Sequence, residues 1–354
     1  MPANLPTLVF DGGNTLILDE GRYTGCMADW PELYAIEGVH ASLKSLAGKY
    51  RMVIATNAQD SDELKIQEAN QRVGIDGFFE RIYTARELGV SKPEKSYFQA
   101  IAADLNANPS ELLMIGDDFQ NDILGAIHAG WNAVWFNPHH EPCTSLTPLH
   151  SVEIDHMSAL PQSLAGPNLP TVSQCLFWLR QQGASFNLIQ HVQAVAASAY
   201  QMALWLRASG QTVDPILTHR GGLLHDLGKI KTLRGQSDGL SHGEYGAQLL
   251  DAWGFPNLAE IARRHMLFSI NDPLTNPRTI EEKLVYFCDK IVEGSRIVPL
   301  KERIHRLSLR YAQNEAKIIA CLPPLQAMQT ELCAAMNIPD EDLIPRLAKS
   351  LLEN

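Results

Sequence analysis

The stretch that most restricts how this chain can fold is an adjacent His225-Asp226 pair inside the apolar run Leu223-Leu224-His225-Asp226-Leu227, followed by Gly228-Lys229. Burying a carboxylate in such a run costs roughly several kcal/mol unless a positive partner compensates it. A metal ion that takes imidazole and carboxylate together is such a partner. Further candidate ligands lie along the chain at His191, His242, His265 and Asp289. Each falls where helical spacing aims it inward. His191 lies three residues after Leu188 and four before Val195, on one apolar face. His242 opens a predicted helix running to Trp253, and His265 closes one over Asn257 to Met266. Asp289 lies between Val285 and Val292 in the helical segment Thr279 to Glu293. A lone histidine on an apolar face is usually a hydrogen-bonded core residue. Six such positions together, with Gly228-Lys229, separate a metal cage from that simpler reading.

The ordered set resembles the HD-domain phosphohydrolase family. Its single His, His-Asp pair and late Asp read here as His191, His225-Asp226 and Asp289, over about Thr171 to Tyr311. The likeness implies that His242 and His265 mark the subgroup with two metals and that Asp226 bridges them. His191, His225 and Asp289 would then complete one metal, and His242 with His265 the other. Such ligands suit Fe, Mn, Co, Ni or Zn better than Ca. Two ions of this kind bind a phosphate oxygen and activate a shared water for in-line attack. Lys229 would neutralise the phosphate; the alternative is a solvated lysine that balances a helix dipole. Arg263, Arg264 and Arg296 are further phosphate-contact candidates. The spacing from His242-Gly243 and Tyr245-Gly246-Ala247 through His265 to Asp289-Lys290 is most similar to a small bacterial group that cleaves diadenosine tetraphosphate. No Gly-Tyr-Pro follows His265, which counts against the cyclic dinucleotide branch.

At 354 residues the chain is long enough for two domains with separate cores. Its net charge of −11 argues against long nucleic acid as a partner, because that footprint needs clustered Lys and Arg. A small nucleotide needs only a few local cations. Residues Met1 to Phe10 lack signal-peptide character and no apolar run reaches spanning length, so a cytoplasmic protein without membrane contact is expected. Cys26, Cys143, Cys175, Cys288, Cys321 and Cys333 have neither metal-like nor disulfide-like spacing and read as free thiols.

In the N-terminal half, three short apolar runs each end in polar residues. Thr7 to Phe10 leads to Asp11-Gly12-Gly13-Asn14-Thr15, Met52 to Ala55 to Thr56-Asn57, and Leu112 to Ile115 to Gly116-Asp117-Asp118. Helical segments such as Val39 to Ala47 and Tyr97 to Leu105 separate them. Strands alternating with helices predict a doubly wound parallel α/β sheet, with ligands at the carboxyl ends of its strands. Asp11 is placed to attack phosphorus. Asp117 and Asp122, with Asp11, offer oxygen ligands for Mg²⁺. Thr56 and Asn57 can donate to phosphoryl oxygens. Lys92 precedes a helix expected to begin at Pro93 and is free to meet the charge. These motifs resemble the haloacid dehalogenase superfamily over about Pro6 to Leu164. Asp11 matches its nucleophile, Thr56 its second motif, Lys92 its third, and Gly116-Asp117 with Asn121-Asp122 its fourth.

One position departs from that pattern. The usual leaving-group acid, two residues after the nucleophile, is Gly13 here, and losing such an acid costs about 10²–10⁴ in rate. The resemblance therefore implies a slow or specialised phosphatase, with a phospholigand-binding, regulatory domain as the alternative. Leu16 to Arg51 and Ala58 to Ser91 are too short for a large cap domain. That admits a third reading, a sugar-phosphate phosphatase with the C-terminal half as lid. Trp135 to Pro138 and Val152 to Ile154 read as further strands, and His139-His140 as a solvated loop. The expected layout is an α/β domain over 1–165, a linker over 166–173, an all-α metal-binding domain over 174–310 and a helical extension over 311–354. Helices around Ala312 to Cys321 and Leu325 to Met336, broken by Pro323-Pro324, fit packing on the domain core or a homodimer face. The chain as a whole reads as a metal-dependent hydrolase of phosphate esters or anhydrides with a small phosphorylated or nucleotide substrate.

Overall fold

A computed structural model describes residues 6–353 except 142, 144 and 166–168. By contacts the chain divides into two units, Met1–Glu141 with Leu149–Asn168, and Pro142–Pro148 with Leu169–Asn354. Part of the expected linker, 166–168, lies outside the described residues.

The first unit is built on a six-stranded parallel sheet: β1 Thr7–Phe10, β2 Arg51–Thr56, β3 Arg81–Thr84, β4 Leu112–Gly116, β5 Asn132–Phe136 and β6 Val152–Ile154. The strands run in the order β3-β2-β1-β4-β5-β6. Connecting helices are α1 Val39–Leu46, α2 Glu63–Arg72, α3 Ala85–Leu88, α4 Lys95–Asp104, α5 Gly125–His128 and α6 Leu160–Ala165. β1 is buried along its whole length, as a central strand covered on both faces requires. The winding direction reverses between β1 and β4, which opens a crevice at their carboxyl ends. Strand β3 was not expected, because Arg81-Ile82-Tyr83-Thr84 carries too few apolar residues to stand out. Pro161, expected to help mark the linker, lies in α6, where the first turn needs no N–H from it.

The second unit is helical: α7 Val172–Gln181, α8 Phe186–Ala208, α9 Pro215–Leu224, α10 Lys229–Leu233, α11 His242–Ala252, α12 Pro256–Arg264, α13 Ile280–Ile291, α14 Leu300–Arg310, α15 Glu315–Ile319, α16 Leu322–Met336 and α17 Asp340–Glu353. A short hairpin of β7 Val292–Glu293 and β8 Arg296–Ile297 joins α13 to α14. The 23-residue α8 is the spine. One side of it packs on Leu223, Leu258 and Ala262, the other on Leu284, Leu325 and Leu332. Residues 311–354, expected as an extension, thus share the core of this unit. Pro323-Pro324 do not break a helix but form the first turn of α16, where proline loses no hydrogen bond. The third tail helix, α17, has Pro345 inside it and went unread for that reason.

Two adjacent glycines set the depth at which α9 lies. A Cβ on Gly222 would stand 2.5 Å from Ala196 Cα, and one on Gly221 would meet Ile261. That approach delivers His225, at the C-terminal cap of α9, into the middle of the bundle. Because the neighbour of Gly222 is backbone that cannot rotate away, Gly222→Ala should destabilise this unit by about 1–3 kcal/mol, the usual cost of overpacking. Urea unfolding followed by circular dichroism measures it.

Candidate active sites

The crevice of the first unit collects carboxylates from two strand ends and from the turn that follows β4. Asp11 follows β1, Asp117 follows β4, and Asp122 sits in the wide helical turn Phe119–Leu124. Carboxylate oxygens of the three lie within 4.8 Å of one another. Lys92 stands among them, its Nζ donating to Asp11 Oδ1 at 2.5 Å, Asp122 Oδ1 at 2.6 Å and the Ala55 carbonyl at 2.9 Å. Burial pushes the Asp122 carboxyl up to about 8 even against the pull of Lys92. Burial, with the Asp11 charge added, pushes Asp117 up to about 6. Burial would lower the Lys92 ammonium, but Asp11 and Asp122 reverse that and raise it. Three crowded carboxylates against one ammonium leave room in the charge balance for a hard divalent cation, and an all-oxygen set fits Mg²⁺.

The surrounding sequence supports this placement. Gly116 is required because a Cβ there would stand 2.2 Å from Asp122 Oδ2. Thr15, which sequence reasoning passed over, donates to Asp117 Oδ1 at 2.9 Å. Asn57 does not offer its side chain freely to a phosphate. Its amide spans the backbone of Lys92, accepting from the N–H at 2.8 Å and donating to the carbonyl at 3.0 Å. Thr56 is buried at the end of β2, and its hydroxyl accepts from the Ala58 N–H at 3.3 Å. Pro93 does not begin the following helix, which starts at Lys95 after Glu94; the Lys92-Pro93 bond is cis. Gly13 offers no acid, and a Cβ there would meet Met27 Cε at 3.3 Å.

In the second unit all six expected residues converge. Asp226 is 1% exposed. Its Oδ1 faces His242 Nε2 at 3.2 Å and His265 Nε2 at 3.5 Å. Its Oδ2 faces Lys229 Nζ at 2.5 Å, His225 Nε2 at 3.6 Å and His191 Nε2 at 4.0 Å. Asp289 Oδ1 lies 3.0 Å from His191 Nε2 and 3.6 Å from His225 Nε2. The central carboxylate therefore divides its two oxygens between two histidine groups.

Backbone carbonyls orient three of the four imidazoles. The Nδ1 of His191 donates to Gly294 at 3.1 Å, that of His225 to Gly222 at 2.7 Å and that of His265 to Ala262 at 2.6 Å. These bonds assign the proton to Nδ1 and turn each Nε2 lone pair inward. His225 Nε2 is buried with no hydrogen-bond partner. His191 Nε2 and Asp289 Oδ1 are then two acceptors facing each other, an arrangement that calls for a cation between them. Burial pushes the His265 imidazole down to about 4. Burial opposes ionisation of Asp226, yet the positive charge that faces it, that of Lys229 included, holds its carboxyl well below the usual carboxylate range. Nitrogen and oxygen donors in this mixture fit divalent transition metals.

The cluster lines a cleft of about 610 Å³. Lys229 reaches into it but is tied to Asp226, and Lys290 is tied to Asp289 and donates to the His265 carbonyl at 2.7 Å. Gly228 permits the close packing behind, since a Cβ there would stand 2.4 Å from the His242 carbonyl oxygen. Two of the arginines expected at phosphate serve elsewhere. Arg263 pairs with Glu244, Asp251 and Glu260, and Arg264 with Glu260 and Glu282. Sequence reasoning missed Arg303, Arg310, Tyr311 and Phe268, which line the cleft. The only sequence signal for the first three is their recurrence at helical spacing along α14.

Comparison with known proteins accords with this division. Residues 5–130 match the haloacid dehalogenase-like hydrolase family, and residues 188–293 match the HD domain. An uncharacterized protein of Methanocaldococcus jannaschii is 35% identical over 147 residues, 38% of this chain and 83% of its own length. A pyrimidine 5'-nucleotidase of Escherichia coli is 31% identical over 33% of this chain and 55% of its own. A glyceraldehyde 3-phosphate phosphatase of Pyrococcus abyssi is 37% identical over 25% of this chain and 35% of its own. The chain thus spans about half or less of these two enzymes. A solved structure of an uncharacterized protein from Listeria monocytogenes is 25% identical with a TM-score of 0.41, covering 46% of this chain and 97% of that one.

The charge balance around Lys92 gives a direct test. Lys92→Met leaves Asp11 and Asp122 facing each other with no internal cation, which should cost the first unit about 3–5 kcal/mol. Added Mg²⁺ should recover part of that loss, because a ligand of the folded state stabilises it. Denaturant unfolding with and without Mg²⁺ reads both effects.

Proposed function

This chain joins a haloacid dehalogenase-like hydrolase domain to an HD domain, and we propose that it is a hydrolase of phosphate esters whose HD half cleaves a phosphoester or phosphoanhydride of a small nucleotide. The observation that carries the reading is the division of the two Asp226 oxygens between two inward-turned histidine groups. Asp226 would bridge two divalent transition metals, one completed by His191, His225 and Asp289, the other by His242 and His265. Bound there, such ions supply Lewis acidity and lower the pKa of a water. The chain's own residues do the rest. Backbone carbonyls hold the histidine tautomers, and Lys229, beside Asp226, presents a positive charge to the phosphate. Phe268 and Tyr311, 45% and 46% exposed at the cleft wall, offer flat apolar surfaces for a nucleobase. The sequence resemblance to enzymes of diadenosine tetraphosphate makes a dinucleoside polyphosphate the first substrate to try.

The other half is proposed to be a slow or specialised phosphatase. Asp11 attacks phosphorus, the bond to the leaving oxygen breaks, and the resulting aspartyl-phosphate is hydrolysed by water. Asp11, Asp117 and Asp122 would hold Mg²⁺, which offsets phosphoryl charge, while Lys92 neutralises the nucleophile's surroundings. With Gly13 in place of an acid, the leaving oxygen departs unprotonated or takes its proton from solvent. Gly13 also favours the second reading, in which this domain binds a phospholigand without turnover.

Two sets of measurements test these assignments. Asp226→Ala should abolish nucleotide hydrolysis and cut metal affinity by at least about 10–100-fold, the loss seen when even an outer partner of a metal ligand is removed. Elemental analysis of purified protein and a nucleotide panel check it; full hydrolysis by metal-stripped protein would sink the reading. For the first unit, turnover of p-nitrophenyl phosphate should exceed that of an alkyl phosphate by at least about 10², the low end of a missing acid's contribution. Asp11→Asn should abolish it. An activity absent from the parent or retained by that variant would favour the binding domain.

A further inference from the structure

Arg296 is the one arginine of the three phosphate-contact candidates that helix-to-helix ion pairs do not absorb. It lines a second hollow, of about 690 Å³, together with Glu293, Gly294, Arg303, Arg306 and Arg310. The hollow is formed by the β7–β8 hairpin and by the face of α14 that carries Arg303, Arg306 and Arg310 at helical spacing. It shares Gly294, Arg303 and Arg310 with the metal cleft. Gly294 is also the residue whose carbonyl holds His191.

The charges in this hollow do not balance. Its lining includes four guanidiniums but only two carboxylates, Glu293 and Glu302, in a chain whose net charge is −11. Glu293 accepts from Arg303 at 3.2 Å and from Arg306, and Arg306 also pairs with Glu302. Those pairs hold the hairpin and α14 in place. Among the described residues neither Arg296 nor Arg310 has an ion-pair partner, and the Nε of Arg303 is buried without a hydrogen-bond partner. Guanidinium groups match phosphate oxygens in pairs and are weakly hydrated, so an organised surplus of them selects for phosphate.

We propose that this hollow is an anion subsite for a phosphate group other than the one attacked at the metal cluster. Resting on the hydrolytic reading of that cluster, the subsite would favour substrates whose phosphates extend past the scissile one. Its phosphate has two sources, the distal part of the substrate or free orthophosphate, and the same chemistry serves both.

The test is calorimetric titration of the full chain, with its metals, against orthophosphate and against tripolyphosphate. Parent, Arg296→Ala and Arg310→Ala proteins are compared; both side chains lack ion pairs, so the variants should fold, as circular dichroism verifies. Tripolyphosphate should bind the parent more tightly than orthophosphate, and each variant should weaken it about tenfold, one charge-assisted contact's share. If orthophosphate binding is unchanged in the variants, the subsite serves the substrate's own distal phosphate. If orthophosphate weakens equally and still binds Asp226→Ala, the hollow takes free phosphate. Folded variants that bind both anions like the parent, or a parent that ignores tripolyphosphate, overturn the proposal. Nucleotide hydrolysis persisting in Asp226→Ala would instead refute the metal-cluster reading, and the arginine result would stand apart from it.

Discussion

A single carboxylate, that of Asp226, organises the helical half of this protein. At 1% exposure it lies where an unpaired charge would cost roughly several kcal/mol, a large share of a domain's margin of stability. Everything around it answers that cost. Lys229 and four imidazoles face its two oxygens, and the carbonyls of Gly222, Ala262 and Gly294 turn three of those imidazoles the right way round. The carbonyls of Gly222 and Ala262 come from the last turns of α9 and α12. Such carbonyls have no partner within the helix and are free to take a side-chain donor. The site is thus built from helix ends, which explains why His225 and His265 are both helix-capping residues.

The α/β half solves a related problem differently. Its crevice gathers three carboxylates around one cation, Lys92, wedged between Asp11 and Asp122. Parallel strands make this inevitable: all their carboxyl ends lie on one edge, and the reversal between β1 and β4 leaves a gap there. A carboxylate cluster with an internal ammonium needs one further cation at most. The helical site has internal ammoniums too, Lys229 on Asp226 and Lys290 on Asp289, and adds four imidazoles that bring nitrogen donors to its two carboxylates. The two halves therefore differ in the chemistry of their donors, oxygen in one and mixed nitrogen and oxygen in the other.

Much of this was legible in the chain. The Asp11, Thr56 and Asp117 positions follow apolar runs that are too short for helices and end in polar residues, so their place at strand ends could be read directly. The six metal-site candidates could be read because polar residues inside apolar helical faces need an explanation. What escaped notice had no such contrast. Strand β3 is amphipathic and short. Helix α17 contains a proline in its interior, which reads as a breaker in the sequence. Arg303, Arg310 and Tyr311 sit on a helix rich in charge, where nothing local distinguishes a cleft wall from a solvated face.

The sequence alone determined which side chains would be expensive to bury without partners, since that cost belongs to residue type and to the apolarity of immediate neighbours. It also determined the element types, through the period at which apolar residues recur. Only the tertiary structure decided what those side chains do for one another. Asn57 turned out to brace Lys92 rather than wait for phosphate, Arg263 and Arg264 to tie helices together, and Arg296 to join three arginines contributed by α14. Each of these outcomes depends on distances between residues remote in the chain. Such distances arise from packing, and no local pattern encodes them.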